Sequence, residues 1–127
     1  EDYSDYVEIA RNAGAGETLD RIIPEIYNEA MFPGTAMLYS FPSYVYSLWQ
    51  EYSVEELEYI ASFCKEKGIP AATVYWEYWS EETEKIFEKN GISLYVYTVN
   101  DRDQARRYIS QGAEGICTDF LTAEDLW

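Results

Sequence analysis

The sequence predicts an α/β fold built from parallel βα repeats. Three observations carry that expectation. Gly68, Gly91 and Gly112 recur 23 and 21 residues apart, in KEKGIPAATVYW, EKNGISLYVYTV and ISQGAEGICTD. Each closes a helix-like stretch and opens an apolar run, as a left-handed glycine at a helix C-terminus does. Helix start signals stand ahead of the stretches between them. The apolar runs are short and nearly continuous, which is the pattern of strands covered on both faces rather than of half-solvated ones.

In chain order, residues 3–14 read as a helix with Tyr6, Val7, Ala10 and Ala13 on one side. RIIPEIY from Arg21 and TAMLYSF from Thr35 read as strands. Residues 42–52, PSYVYSLWQEY, fit neither the helical nor the strand period and read as a loop with a helical turn. Ser53 precedes VEEL, with Glu56 at the third helical position, which makes a capping box. Val54, Leu57, Ile60, Ala61 and Cys64 then form one apolar stripe. AATVYW from Ala71 is the next strand. Ser80 opens EETEKIF, whose acids sit in the first turn, where the helix dipole favours them. SLYVYTV from Ser93 follows; alternation sets Tyr95, Tyr97 and Val99 on one face and Leu94, Val96 and Thr98 on the other. Asp101 caps RDQARRYISQ, with Gln104 three positions on, and GICTD from Gly115 is the last strand.

With 127 residues and 47% apolar content, the chain is expected to form one domain over residues 1–127. The net charge of −15 excludes a nucleic-acid binder, which needs a basic footprint. It also opposes docking on anionic membranes, and no apolar run is long enough to cross one. A phosphate substrate would be repelled unless a bound cation or a basic partner segment intervened. Two cysteines and no histidine cannot fill a four-ligand zinc site. Cys64 and Cys117 read as two buried thiols in preference to a disulfide. VEELE and SEETE read as solvated helix faces. The aromatic clusters YVYSLW and YWEYW read as rim or interface packing in preference to a binding surface. The first residue is Glu rather than Met, so the sequence is expected to be a processed form or a piece of a longer chain, and its compartment is unknown.

LYVYTVND, followed about 15 residues later by GAEGICTDF, resembles the end of the glycerophosphodiester phosphodiesterase family. In that family a strand ending in a Trp-Thr-Val-Asn type motif leads to a helix. A Gly-Val-Asp-Gly-Ile-Ile-Thr-Asp type strand then closes a (β/α)8 barrel. RIIPEIYNEAMF and AMLYSF are similar to segments upstream of these, so the resemblance spans about residues 20–121. It implies the C-terminal half of a TIM-type barrel. The full protein would hydrolyse glycerophosphodiesters to glycerol 3-phosphate and an alcohol. A divalent cation, calcium or magnesium, would polarise the phosphoryl oxygens while paired histidines move protons. The family's His-Arg, Glu-x-Asp, second His and Glu-x-Lys motifs do not occur here, so no catalytic residue and no metal ligand is assigned to this chain. On its own it is expected to be inactive, its partner being the missing N-terminal half-barrel or a second copy of itself. The rival expectation is a non-catalytic half-barrel kept as an interaction or scaffold module.

Polar residues at the C-terminal ends of barrel strands line the active-site mouth. TVND and CTD would be two adjacent strand ends there. The resemblance makes Tyr97, which stands where the family carries Trp, a candidate wall of the substrate pocket; a core tyrosine is the equal alternative. Glu25, set mid-strand among apolar neighbours, is a second substrate-binding candidate, with pairing to Arg21 as the structural alternative. Asn100 is the third, although Asn100 and Asp101 more often form a strand-end turn and a helix cap. Asp119 is expected to tie the last strand to the first.

Overall fold

The structure is a computed structural model that describes residues 3–14 and 16–127. Five strands form one sheet: β1 (Glu25–Ile26), β2 (Val45–Leu48), β3 (Ala71–Tyr75), β4 (Ser93–Tyr97) and β5 (Gly115–Ile116). All neighbours are parallel, and the order in the sheet is the order in the chain. The helices between strands are α3 (Met31–Leu38), α4 (Val54–Lys67), α5 (Glu81–Lys89) and α6 (Arg102–Ser110). A single-turn 3-10 segment, Trp76–Tyr78, follows β3. Helices α1 (Ser4–Asn12) and α2 (Gly16–Leu19) precede the sheet, and α7 (Ala123–Leu126) follows it. Right-handed crossovers between consecutive parallel strands set every connecting helix on the same face. The result is half of a (β/α)8 barrel.

The register shows which face is covered. Ile26, Tyr46, Ala72 and Leu94 form one row across the sheet, and Leu48, Val74, Val96 and Ile116 form another. Apart from Ile116, which is half-buried, these side chains are buried. They meet Leu57, Ile60, Ala61 and Cys64 of α4, Ile86 and Phe87 of α5, and Ala105 and Tyr108 of α6. Fully burying one aliphatic or aromatic side chain contributes roughly 1.5–3 kcal/mol, so this face anchors the fold.

The helix boundaries agree with the sequence reading. The Ser53 hydroxyl accepts from the Glu56 N–H at 3.2 Å, Ser80 from Thr83 at 3.0 Å, and Asp101 from Gln104 at 2.7 Å. Gly68 closes α4 at φ 70°, where a Cβ would be strained, and its N–H reaches the Lys65 and Cys64 carbonyls. Gly91 and Gly112 also have positive φ.

Several expectations are corrected. TAMLYSF is not a strand: Met31–Leu38 is helical. Pro33 sits in the first turn, where an absent N–H costs nothing, and so does not break the helix. Conversely, the segment read as loop over 42–52 contains β2. Three of its four residues are buried, so no alternation marks it. RIIPEIY contributes only Glu25–Ile26, after Pro24, and Glu25 stands exposed at the strand's start. The alternation of β4 ends at Tyr97: Val99 is buried with the core and Thr98 is exposed. Tyr6 and Val54 point to solvent, whereas Val7 is buried. Both cysteines are free, and Cys117 is exposed rather than buried.

SEETE is not wholly solvated either, because Glu84 of α5 is buried. A Cβ at Gly112 would stand 3.0 Å from the Glu84 Cγ, so the close approach of these two segments requires glycine there. The Glu84 Oε2 has no hydrogen-bond partner. Burial, then Glu88 and Glu114, pushes its carboxyl up to about 7. The folded state therefore binds a proton that the unfolded chain releases near its ordinary pKa. Glu84 favours folding fully below pH of about 4.5, and that contribution is lost as pH rises through about 7. Glu84→Gln should raise the melting temperature at pH 8 and leave it nearly unchanged at pH 4.5. Thermal unfolding followed by circular dichroism at the two pH values checks this.

Candidate functional site

Among the described residues, no connecting helix lies over the opposite face of the sheet. Its rows are Glu25, Val45, Ala71 and Ser93; Ser47, Thr73, Tyr95 and Gly115; and Tyr75 with Tyr97. Most of these side chains are half-buried. Gly115 is small for a reason of packing: a Cβ there would lie 3.0 Å from the Tyr95 ring.

Two of the three predicted site residues meet on this face. The Glu25 carboxylate accepts a long hydrogen bond, 3.5 Å, from the Thr73 hydroxyl on β3. It makes no ion pair with Arg21 among the described residues. Tyr97 lies on the same face, its ring 5.7 Å from that of Tyr75. Burial pushes its hydroxyl up, a hydrogen bond with Ser47 pulls it down, and the Glu25 charge pushes it up again. The thiol of Cys117 is likewise raised, first by lost hydration and then by Glu25. Glu25 is thus the source of negative charge felt across the face.

The aromatic wall continues upward from Tyr75. Trp76 and Tyr78 in the 3-10 segment stand 5.8 Å from the Tyr75 ring, each 37% exposed.

Asn100 sits elsewhere, at the junction of the β4 and β5 ends. Its amide nitrogen donates to Asp119 at 2.8 Å, and its carbonyl accepts from the Thr118 hydroxyl and the Asp119 N–H, each at 2.9 Å. Asp119 therefore ties β5 to the loop after β4, not to the first strand as expected. Asp101 is spent on its helix cap.

A cavity of about 600 Å³ opens at the C-terminal end of the sheet, where the loops after β1 and β2 meet the first turns of α4. Tyr52 is one of its walls. Burial raises the Tyr52 hydroxyl, a hydrogen bond from the Trp49 backbone lowers it, and the Glu29 and Glu56 carboxylates raise it again. The sequence reading missed this cavity because its walls join three separate segments, the loops after β1 and β2 and the first turns of α4.

The donors present do not fit a divalent cation. Glu25 is the single carboxylate in the rows of the inner face, and the described residues hold no group of three or more Cys, Asp or Glu placed to bind a metal.

A family model described as the glycerophosphoryl diester phosphodiesterase family matches residues 35–123. Among solved structures, the chain is similar to the crystal structure of a protein provisionally named a glycerophosphoryl diester phosphodiesterase from Silicibacter pomeroyi DSS-3. The TM-score is 0.67 at 16% identity, over 91% of this chain and 39% of that one. At that identity the likeness shows the fold, and this chain spans about two fifths of its neighbour's length. No curated protein matches.

The Asn100 bridge should be measurable. Asn100→Ala is expected to cost about 1–2 kcal/mol, on the scale of one or two net hydrogen bonds, and to speed hydrogen exchange at the Asp119 amide. Urea unfolding and native-state exchange check it.

Proposed function

The chain belongs to the glycerophosphoryl diester phosphodiesterase family, and from that premise we propose that it is the C-terminal part of a glycerophosphodiester hydrolase. The match over residues 35–123 carries the reading, because it covers both strand-end motifs. In the complete protein the reaction releases glycerol 3-phosphate and an alcohol. The family's divalent cation, when bound, would supply charge to neutralise the phosphoryl oxygens. Its ligands and the groups that move protons would come from strands outside this chain.

The residues here have positioning work in this proposal. Tyr97 and Tyr75 form an apolar wall against which the glycerol carbons rest. Glu25, oriented by Thr73, accepts from a substrate hydroxyl. Asn100 keeps the β4 and β5 ends in fixed relation, which holds the wall in place.

Activity tests the reading. The purified 127-residue chain, supplied with calcium or magnesium and a glycerophosphodiester, should release no glycerol 3-phosphate at ordinary enzyme rates, on the order of 1 per second or more. In the complete protein, Tyr97→Ala should lower kcat/KM by about tenfold or more while leaving the melting temperature nearly unchanged. Loss of about 3–5 kcal/mol of stability without a kinetic effect would instead make Tyr97 a core residue. A complete protein with no hydrolase activity would favour the scaffold-module reading.

Association follows from the same proposal. The uncovered face is to be closed by a complementary half-barrel or by a second copy of the chain. With a net charge of −15, self-association should tighten as salt screens repulsion. Light scattering of the purified chain across salt concentrations reads this. A salt-independent monomer that binds no hydrophobic dye would sink it.

A further inference from the structure

The cavity at the ends of β1 and β2 has a composition that selects its ligand. Tyr27, Trp49, Tyr52 and Tyr59 contribute aromatic surface. Trp49 and Tyr59 are 53% and 63% exposed, so each leaves aromatic surface accessible to a ligand. Three carboxylates, Glu29, Glu55 and Glu56, line the same space, and none of the lining residues is Lys or Arg. Glu29 is the anchored one: it accepts from the hydroxyl of the buried Tyr46 at 3.3 Å.

Each ligand class meets these walls differently. An anion is repelled by three carboxylates with no counter-charge. A neutral apolar group would cover the rings but strip water from the carboxylates without replacing it. A small inorganic cation needs several oxygens converging at fixed distance, and no such group exists among the described residues. An organic cation satisfies both surfaces, because its diffuse charge is attracted by ring faces and is balanced by the carboxylates. The α4 N-terminus opposes a cation by roughly half a charge, which Glu55 and Glu56 together outweigh. The volume of about 600 Å³ lies within the usual range of small-molecule sites and leaves room for a substituent beyond the charged group.

We propose that this cavity binds a small alkylated ammonium group, held over Trp49 and Tyr59 and paired with Glu29. The ammonium group has two sources. It is either a free amine-derived compound or the alcohol moiety of a phosphodiester, and the second source rests on the function proposed above. The cavity stands at the C-terminal ends of β1 and β2, the same end of the parallel sheet as the loops that follow β4 and β5.

Titration calorimetry of the purified chain with choline tests the site, with 3,3-dimethylbutan-1-ol as an uncharged probe of the same shape. Choline should bind saturably and about tenfold or more tightly than the neutral probe. Glu29→Gln and Trp49→Ala should each weaken choline by about fivefold or more. Trp49 is more than half exposed, so its variant tests the site even where loss of the Glu29–Tyr46 hydrogen bond perturbs folding. Equal binding of the two probes, or choline binding unmoved in Trp49→Ala, overturns the proposal. Glycerophosphocholine as a third probe sorts the source. Tighter binding than choline assigns the alcohol moiety, and weaker binding assigns a free ammonium compound. Choline binding without hydrolysis in the complete protein would overturn the proposed function and leave the cation site standing.

Discussion

The inequality between the two faces of the parallel sheet governs the rest of the molecule. Five strands in sequential order, linked by crossovers of one hand, send every connecting helix to one side. That side carries the buried rows through Tyr46, Ala72 and Leu94 and through Leu48, Val74 and Val96. The other side carries Glu25, Thr73, Tyr75, Tyr95 and Tyr97, which are polar or aromatic and only partly covered. A compact chain of this mass would expose about 7,000 Å². This one exposes 7807 Å², in keeping with a sheet covered on one face. Whatever binds at the mouth therefore meets the face that folding of this chain leaves open.

Charge distribution then limits what can bind. Twenty-four acidic residues oppose nine basic ones, and the inner face and the cavity repeat that imbalance at close range. Glu25 raises both Tyr97 and Cys117, and Glu29 raises both Tyr46 and Tyr52. A phosphodiester would be drawn into such a field only if cationic groups were supplied from elsewhere. The local chemistry suits aromatic and hydroxyl contacts to the neutral parts of a ligand, and charge contacts to a positive part.

Much of the fold was legible because its signals are local. Ser53, Ser80 and Asp101 each cap a helix through a hydrogen bond three residues on, and such spacing is visible in the chain. The glycine rhythm located the entrances to β3, β4 and β5. Tertiary burial defeated the rest. Val45–Leu48 has no alternation because Ser47 is buried along with Tyr46 and Leu48, so nothing in the order of its residues separates it from a loop. Met31–Leu38 carries Pro33 and Gly34, poor helix formers, yet the proline occupies a position where it is harmless. Glu84 resembles its solvated neighbours in sequence, and only the folded structure, in which its side chain lies close to Gly112, shows it buried. At the site, strand period set Tyr95 and Tyr97 on one face, whereas the register of the sheet was needed to bring Glu25 onto it. The Asn100–Thr118–Asp119 bridge and the cavity walls join residues far apart in the chain, beyond the reach of spacing.

The β1 edge shows how closure of the barrel is constrained. The Tyr3 hydroxyl donates to the Glu25 carbonyl and accepts from the Glu25 N–H, each at 2.9 Å. Those two backbone groups point away from β2, whose own pairing uses the Pro24 carbonyl. They are the groups through which a further parallel strand would pair. One side chain thus satisfies both and blunts the edge. A strand added at β1 takes over the same N–H and C=O, so it and Tyr3 exclude each other at Glu25. The residue that carries this edge contact also presents its carboxylate to the inner face. Displacing Tyr3 would therefore shift the backbone partner of the residue whose charge sets the electrostatics of the mouth.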